Sequence, residues 1–139
     1  MKKSAEEKLK SIQDMTVDEF ATPCTVWAES NTGIAELNRL MMENGIRHLP
    51  IIQNERMLGI VSDRDIKNLE ANMPLRASDI MSEAPFEVNS GALLSDVVLE
   101  MSSRKLGSVL VFNPEDRTYS IFTSIDALNC LNEILRDMV

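Results

Sequence analysis

Ser62-Asp63-Arg64-Asp65 and Thr123-Ser124-Ile125-Asp126 each set a hydroxyl and a carboxylate three residues apart. Each follows an apolar run of strand length and precedes a stretch with helical spacing, so each sits where a strand hands over to a helix. Two chemistries are open to that pattern. In the first, the hydroxyl caps the third amide of the helix and the acid reaches back to the cap's own N–H, with Asp in place of the usual Glu. In the second, the same geometry serves a ligand: helix-start amides donate to phosphate oxygens, and a carboxylate accepts hydrogen bonds from ribose hydroxyls.

The surroundings of the two motifs differ. Arg64 lies inside the first, Lys67 follows one turn later, and Arg47-His48 precedes it. At the matching positions the second motif has Ile125 and Gly107-Ser108, Ser120 replaces Gly59, and the nearby cations are Arg104 and Lys105. An anionic ligand is therefore expected at the first motif, with a weak or adapted site at the second. Ser120 in place of glycine also puts close backbone approach in doubt there. His48, the single histidine, is either a half-buried polar residue beside a strand or a phosphate-facing one. Cys24 and Cys130 are far apart and, with one His, too few for a structural zinc site. They read as reduced thiols. A Cys24–His48 nucleophilic pair lacks an orienting third group and an oxyanion hole, so no catalytic residue and no metal are expected.

These motifs must be positioned by elements, and the elements come twice. Residues 3–15 have helical spacing through Leu9, Ile12 and Met15. A short strand at Pro23 to Val26 leads into a helix from Asn31 or Thr32 that carries Ile34, Leu37, Leu40 and Met41 on one side and stops at Asn44-Gly45. Leu49–Ile52 and Leu58–Val61 form a hairpin across Gln53-Asn54-Glu55-Arg56, and Ser62 opens a helix to about Glu70. After a linker and a helical turn at Ser78 to Met81, the order repeats. There is a strand from Phe86 to Val88, a helix from Ala92 to Arg104, strands at Ser108–Phe112 and Tyr119–Phe122, and a helix from Ser124 with Ile125, Leu128, Leu131 and Leu135 as its apolar stripe. Pro23 matches Pro85, Ile34 Leu94, Leu37 Val97, Met41 Met101, Pro50 Leu110 and Ser62 Thr123. β-α-β-β-α, twice, defines an α/β protein whose copies are expected to pack on each other, with a cleft for a ligand between them.

Composition bounds the functions. The chain has 139 residues, 44% of them apolar and 4% aromatic, which supports an aliphatic core filled out with Met. A net charge of −8 argues against nucleic acid, whose phosphates require clustered Lys and Arg. Any bound phosphate must be held locally against the global field. The N-terminus lacks an apolar targeting core and no stretch has the length of a membrane span, so a cytoplasmic protein without membrane contact is expected.

Gly45-Ile46-Arg47-His48-Leu49-Pro50-Ile51-Ile52, followed by Gly59-Ile60-Val61-Ser62-Asp63-Arg64-Asp65, resembles a cystathionine β-synthase (CBS) domain, and Asp79-Ile80-Met81 is similar to the lead-in such domains carry. The resemblance covers roughly Val17 to Leu135 and implies a tandem pair, a Bateman module. Behind the N-terminal helix at 1–16, it implies a first repeat at 17–71, a linker at 72–78 and a second repeat at 79–139, packed as a pseudo-two-fold pair. It also implies a non-catalytic regulatory module that needs no cofactor and binds an adenosine-type ligand such as AMP, ADP or ATP. Such a module is expected to form a homodimer and signal to an unidentified effector protein. Carried over, ligand contacts fall on Thr22, Cys24, Thr25, Arg47, His48, Leu49, Pro50, Ser62, Arg64 and Asp65, with Thr123 and Asp126 in a second cleft. The alternative is a ligand-free dimeric scaffold that keeps the fold.

Overall fold

The computed structural model describes residues 3–83 and 86–137. Pro85, and with it the expected match to Pro23, lies outside the described residues. Two hydrophobic cores account for the architecture. One holds Leu37, Met41, Leu49, Ile51 and Val61, with Ala28, Ile66 and Ala77. The other holds Val97, Met101, Val109 and Val111, with Val17, Leu94, Phe122 and Cys130. The duplicated positions Leu37/Val97 and Met41/Met101 thus do the same job in each. Burying each such aliphatic side chain contributes about 1.5–3 kcal/mol.

In the first repeat, the helix α2 (Ile34–Asn44) packs on a hairpin of β2 (His48–Gln53) and β3 (Arg56–Ser62). Gly45 ends α2 in the left-handed region at φ 61°, a conformation open to glycine without a Cβ penalty. Asn54 and Glu55 both have positive φ, as a two-residue turn between right-twisted strands requires. α3 (Asp63–Ile66) follows β3 and is a single turn, shorter than the helix expected to reach Glu70. Beyond Ile66 only Leu69 is even partly buried up to Met73, and Asn68, Asn72 and Pro74 favour turns, so no apolar face sustains the helix. In the second repeat α5 (Leu94–Arg104), β6 (Ser108–Asn113) and β7 (Thr118–Thr123) repeat the plan, and α6 (Ser124–Asp137) runs for 14 residues.

The opening segments of the two repeats cross over. β1 (Thr22–Pro23) pairs antiparallel with β7 of the second repeat, Thr22 opposite Ile121 and Pro23 opposite Ser120. β4 (Ser82–Glu83), preceded by the one-turn α4 (Ala77–Ile80), pairs with β3 of the first repeat. The sheets are therefore β1-β7-β6-β5, with β5 (Glu87–Asn89) parallel to β6, and β2-β3-β4. Val17 is buried in the second repeat's core and Ala77 in the first's. The two compact units are accordingly residues 1–23 with 86–139, and residues 24–85. In place of the strand expected through Val26, residues 24–27 belong to no strand, and Ala28 bridges Ile51. The N-terminal helix α1 (Ala5–Gln13) joins the discontinuous unit, where Lys8 Nζ donates to the Asp137 carbonyl at 2.6 Å.

Candidate functional site

Both hydroxyl–carboxylate motifs fold as capping boxes. The Ser62 N–H donates to Asp65 Oδ2 at 2.8 Å, and the Asp65 N–H donates to Ser62 Oγ at 3.3 Å. In the second repeat the Thr123 N–H donates to Asp126 Oδ2 at 2.8 Å, and the Asp126 N–H donates to Thr123 Oγ1 at 3.2 Å. Asp is long enough to close the box, and all four residues are half-buried.

Strand register decides what stands beside each box. His48 lies opposite Ser62 on the β2–β3 ladder, and the Asp63 N–H donates to the Arg47 carbonyl at 2.9 Å. Arg47, His48, Ser62, Arg64 and Asp65 therefore converge at one end of the hairpin, with Arg47, Arg64 and Lys67 exposed. The second repeat has the same register, Ser108 opposite Thr123 and the Ser124 N–H bonded to the Gly107 carbonyl at 3.0 Å. There the cation positions are Gly107 and Ser108. Arg104 has other partners, its guanidinium 4.6 Å from the Phe86 ring centre and 3.9 Å from Glu100. Lys105 adopts the left-handed cap at φ 55° that Gly45 fills in the first repeat.

The remaining expected residues divide. Leu49 is buried in the first core, and Pro50 is also buried, its carbonyl accepting from the Ala28 N–H at 3.0 Å. Cys24 is half-buried and Thr25 exposed on the irregular segment leading to Ala28. Burial pushes the Cys24 thiol up to about 11, which makes it a poor nucleophile at neutral pH. Thr22 sits on β1, in the unit that carries Thr123 and Asp126 and not in the one that carries Ser62. The tight approach at Gly59 is made by the protein itself. A Cβ there would lie 2.5 Å from the Ser82 carbonyl of β4. Among the described residues no helix is long and apolar enough to cross a membrane, and no cluster of His, Cys, Asp and Glu could hold a metal ion.

One further concavity was not anticipated. α2 and α3 flank a groove of about 660 Å³ whose walls include Ile34, Met42, Ile46 and Ile66, with Arg47 and Lys67 also lining it. Leu69 and Ala71, beyond the end of α3, also line it.

Residues 17–72 and 77–133 each match the CBS domain, and the chain belongs to that family, as a tandem pair. Among curated relatives, an L-aspartate semialdehyde sulfurtransferase of Methanocaldococcus jannaschii is 27% identical over 88% of this chain. The match covers 24% of that enzyme, and the chain spans under half the length of each curated relative it matches. Among solved structures, a CBS domain pair in complex with 5′-methylthioadenosine and S-adenosyl-L-methionine aligns with a TM-score of 0.75 and 23% identity, covering 86% of this chain and 97% of that one. The CBS domain of a bacterial CNNM/CorC family Mg²⁺ transporter in complex with ATP aligns with a TM-score of 0.76 and 18% identity, covering 88% and 91%.

Proposed function

We propose that this chain is a regulatory, non-catalytic module that binds an adenine nucleotide through its first repeat, forms a homodimer and reports occupancy to a separate effector protein. The observation that carries the ligand reading is the β2–β3 register, which sets Arg47 and His48 beside the Ser62–Asp65 box and Arg64. In that reading the Asp65 carboxylate accepts from ribose hydroxyls, and Arg47 and Arg64 meet the phosphates. With α3 only one turn long, the helix dipole adds little, so the side-chain cations supply most of the attraction. Complexes of structurally similar CBS pairs with ATP and with S-adenosyl-L-methionine support the ligand class. Occupancy acts on a partner to the extent that ligand binds one arrangement of the module better than another.

Thermal shift with AMP, ADP, ATP and S-adenosylmethionine tests this. A ligand at a hundred times its Kd adds about 2.7 kcal/mol, or roughly 5–10 °C in Tm. Asp65→Ala is expected to abolish most of the shift and Asp126→Ala much less, while each loses about 1 kcal/mol of stability with its cap. Equal losses of binding would overturn the assignment to the first repeat. A flat screen of the folded protein would favour the ligand-free scaffold, for which the two internally closed capping boxes are the supporting observation.

A further inference from the structure

The α2–α3 groove has a charged end and an apolar remainder. α2 runs along it for 11 residues, about 16 Å. Beyond the C-terminal end of α2 stand Arg47 and Asp63, joined by the backbone bond between them, with Lys67 at the end of α3. From there Ile46 and Ile66 lead, with Asn38 between, to Ile34 and Ala35 at the start of α2. The chain beyond α3 returns to that far end, where Gly33 bridges Arg76. A concavity of about 660 Å³ with a mainly apolar wall and a few convergent polar groups has the size and make-up of a small-molecule site.

Charge selects the ligand. Among the described residues Arg39 pairs with Glu36 and Glu43, and Arg104 with Glu100, whereas Arg47 and Lys67 are in no ion pair. Both are exposed, and against Asp63 they leave the groove at +1 in a chain of −8. Unpaired cations at one end of an apolar wall are complementary to an anion with a single apolar tail, and a guanidinium takes a carboxylate in a bidentate grip. The stripe of α6 expected to be its packing face, Ile125, Leu128, Leu131 and Leu135, is also 50–59% exposed. It lacks that complement, since Asp126, Glu133 and Asp137 against Arg136 leave α6 at −2. We infer that the α2–α3 groove binds a free fatty-acid carboxylate, its head on Arg47 and Lys67 and its tail along Ile46 and Ile66 toward Ile34. The groove is a second ligand site, and it shares Arg47 with the nucleotide site proposed above. Each ligand therefore weakens the other, a coupling that rests on the nucleotide reading as the binding itself does not.

Calorimetric titration of the full chain with dodecanoate, kept below its micelle concentration, tests the site. Saturable binding is expected, weakening by roughly two- to fourfold for each carbon removed on the way to octanoate. Dodecylammonium, which the net charge of the chain favours, should bind roughly tenfold less well, because the groove's own charge opposes it. Amide resonances of Ile34, Ile46 and Ile66 should move in NMR spectra, and those of α6 should not. Lys67→Gln is expected to weaken dodecanoate by about two- to fivefold. Ala35→Trp, at an exposed position, should fill the tail's path and weaken it by roughly tenfold, with circular dichroism and ATP binding unchanged. Absence of binding, equal binding of dodecylammonium, indifference to tail length, or shifts confined to α6 would overturn the site. Capture on phosphatidylglycerol vesicles without binding of free dodecanoate would overturn it too. In the presence of saturating dodecanoate the Kd for ATP should rise by roughly fivefold, and the reverse titration should give the same factor. Both ligands binding without mutual effect would overturn the sharing of Arg47 and leave the groove site standing. Dodecanoate bound by a chain that binds no nucleotide would overturn the nucleotide reading alone.

Discussion

Asp65 and Asp126 close the same backbone capping box, with Asp126 Oδ2 also accepting from the Thr123 hydroxyl at 3.0 Å, and beyond that bond they differ in their neighbours. The capping role was legible from hydroxyl-to-acid spacing alone, because a three-residue step at a helix start fixes the geometry. The asymmetry was legible too, since Arg47-His48 and Gly107-Ser108 hold equivalent places in the two registers. The partners of Arg104 were not, for a cation's choice between a ligand and the Phe86 ring depends on packing. The thiols give a pH test. Desolvation raises both from 9.0 to about 11, and at Cys130 the charges of Glu133 and Asp126 add to it. A raised folded pKa contributes stability that is complete below pH 9 and is lost as pH climbs toward 11. Urea midpoints are therefore expected to fall across that window in the wild type, and less steeply in Cys130→Ala measured against its own value at pH 8. Identical slopes would show that Cys130 does not keep its proton through burial.

At the scale of elements, β4 owes its place to one missing side chain. Gly59 lets the Ser82 backbone lie against β3, and Met81 Sδ would stand 2.8 Å from a Cβ at that position. Gly59→Ala must push the two-residue β4 away, and because the obstacle is backbone, relief requires moving the strand. A loss of about 1–3 kcal/mol is expected, read as a lower Tm and faster exchange of the β4 amides. A variant as stable as wild type would mean that β4 contributes nothing to the sheet. Hairpins and long helices could be read from the chain because their apolar periods are local. The pairings of β1 and β4 could not, since two-residue strands have no period, and their partners lie on the other repeat. α3 fell short although Leu69 and Met73 continue the helical spacing of Ile66: Met73 is exposed, and Asn68, Asn72 and Pro74 favour turns.

At the scale of the whole molecule, the order of the sequence and the order of the cores disagree, and that disagreement can be measured. Residues 17–23 open the stretch that matches the first CBS domain, yet Val17 has no exposed surface and packs with Leu94, Val109 and Phe122 of the second. The Val17 N–H donates to the Ala92 carbonyl at 2.9 Å, the Leu94 N–H to the Met15 carbonyl at 2.8 Å, and β1 covers the edge of β7. Removing residues 1–23 therefore strips the second repeat of a core side chain worth about 1.5–3 kcal/mol and reopens a sheet edge. The hairpin β2–β3 loses none of these contacts. Hydrogen exchange of the truncated chain should show β6 and β7 losing protection by a factor of ten or more while β2 and β3 keep most of theirs, since local opening follows local contacts. A chain whose repeats were contiguous blocks would lose protection first in β2 and β3, and that pattern would refute the exchange of lead-in segments. It would also refute the discontinuous unit that makes residues 1–23 part of the second repeat.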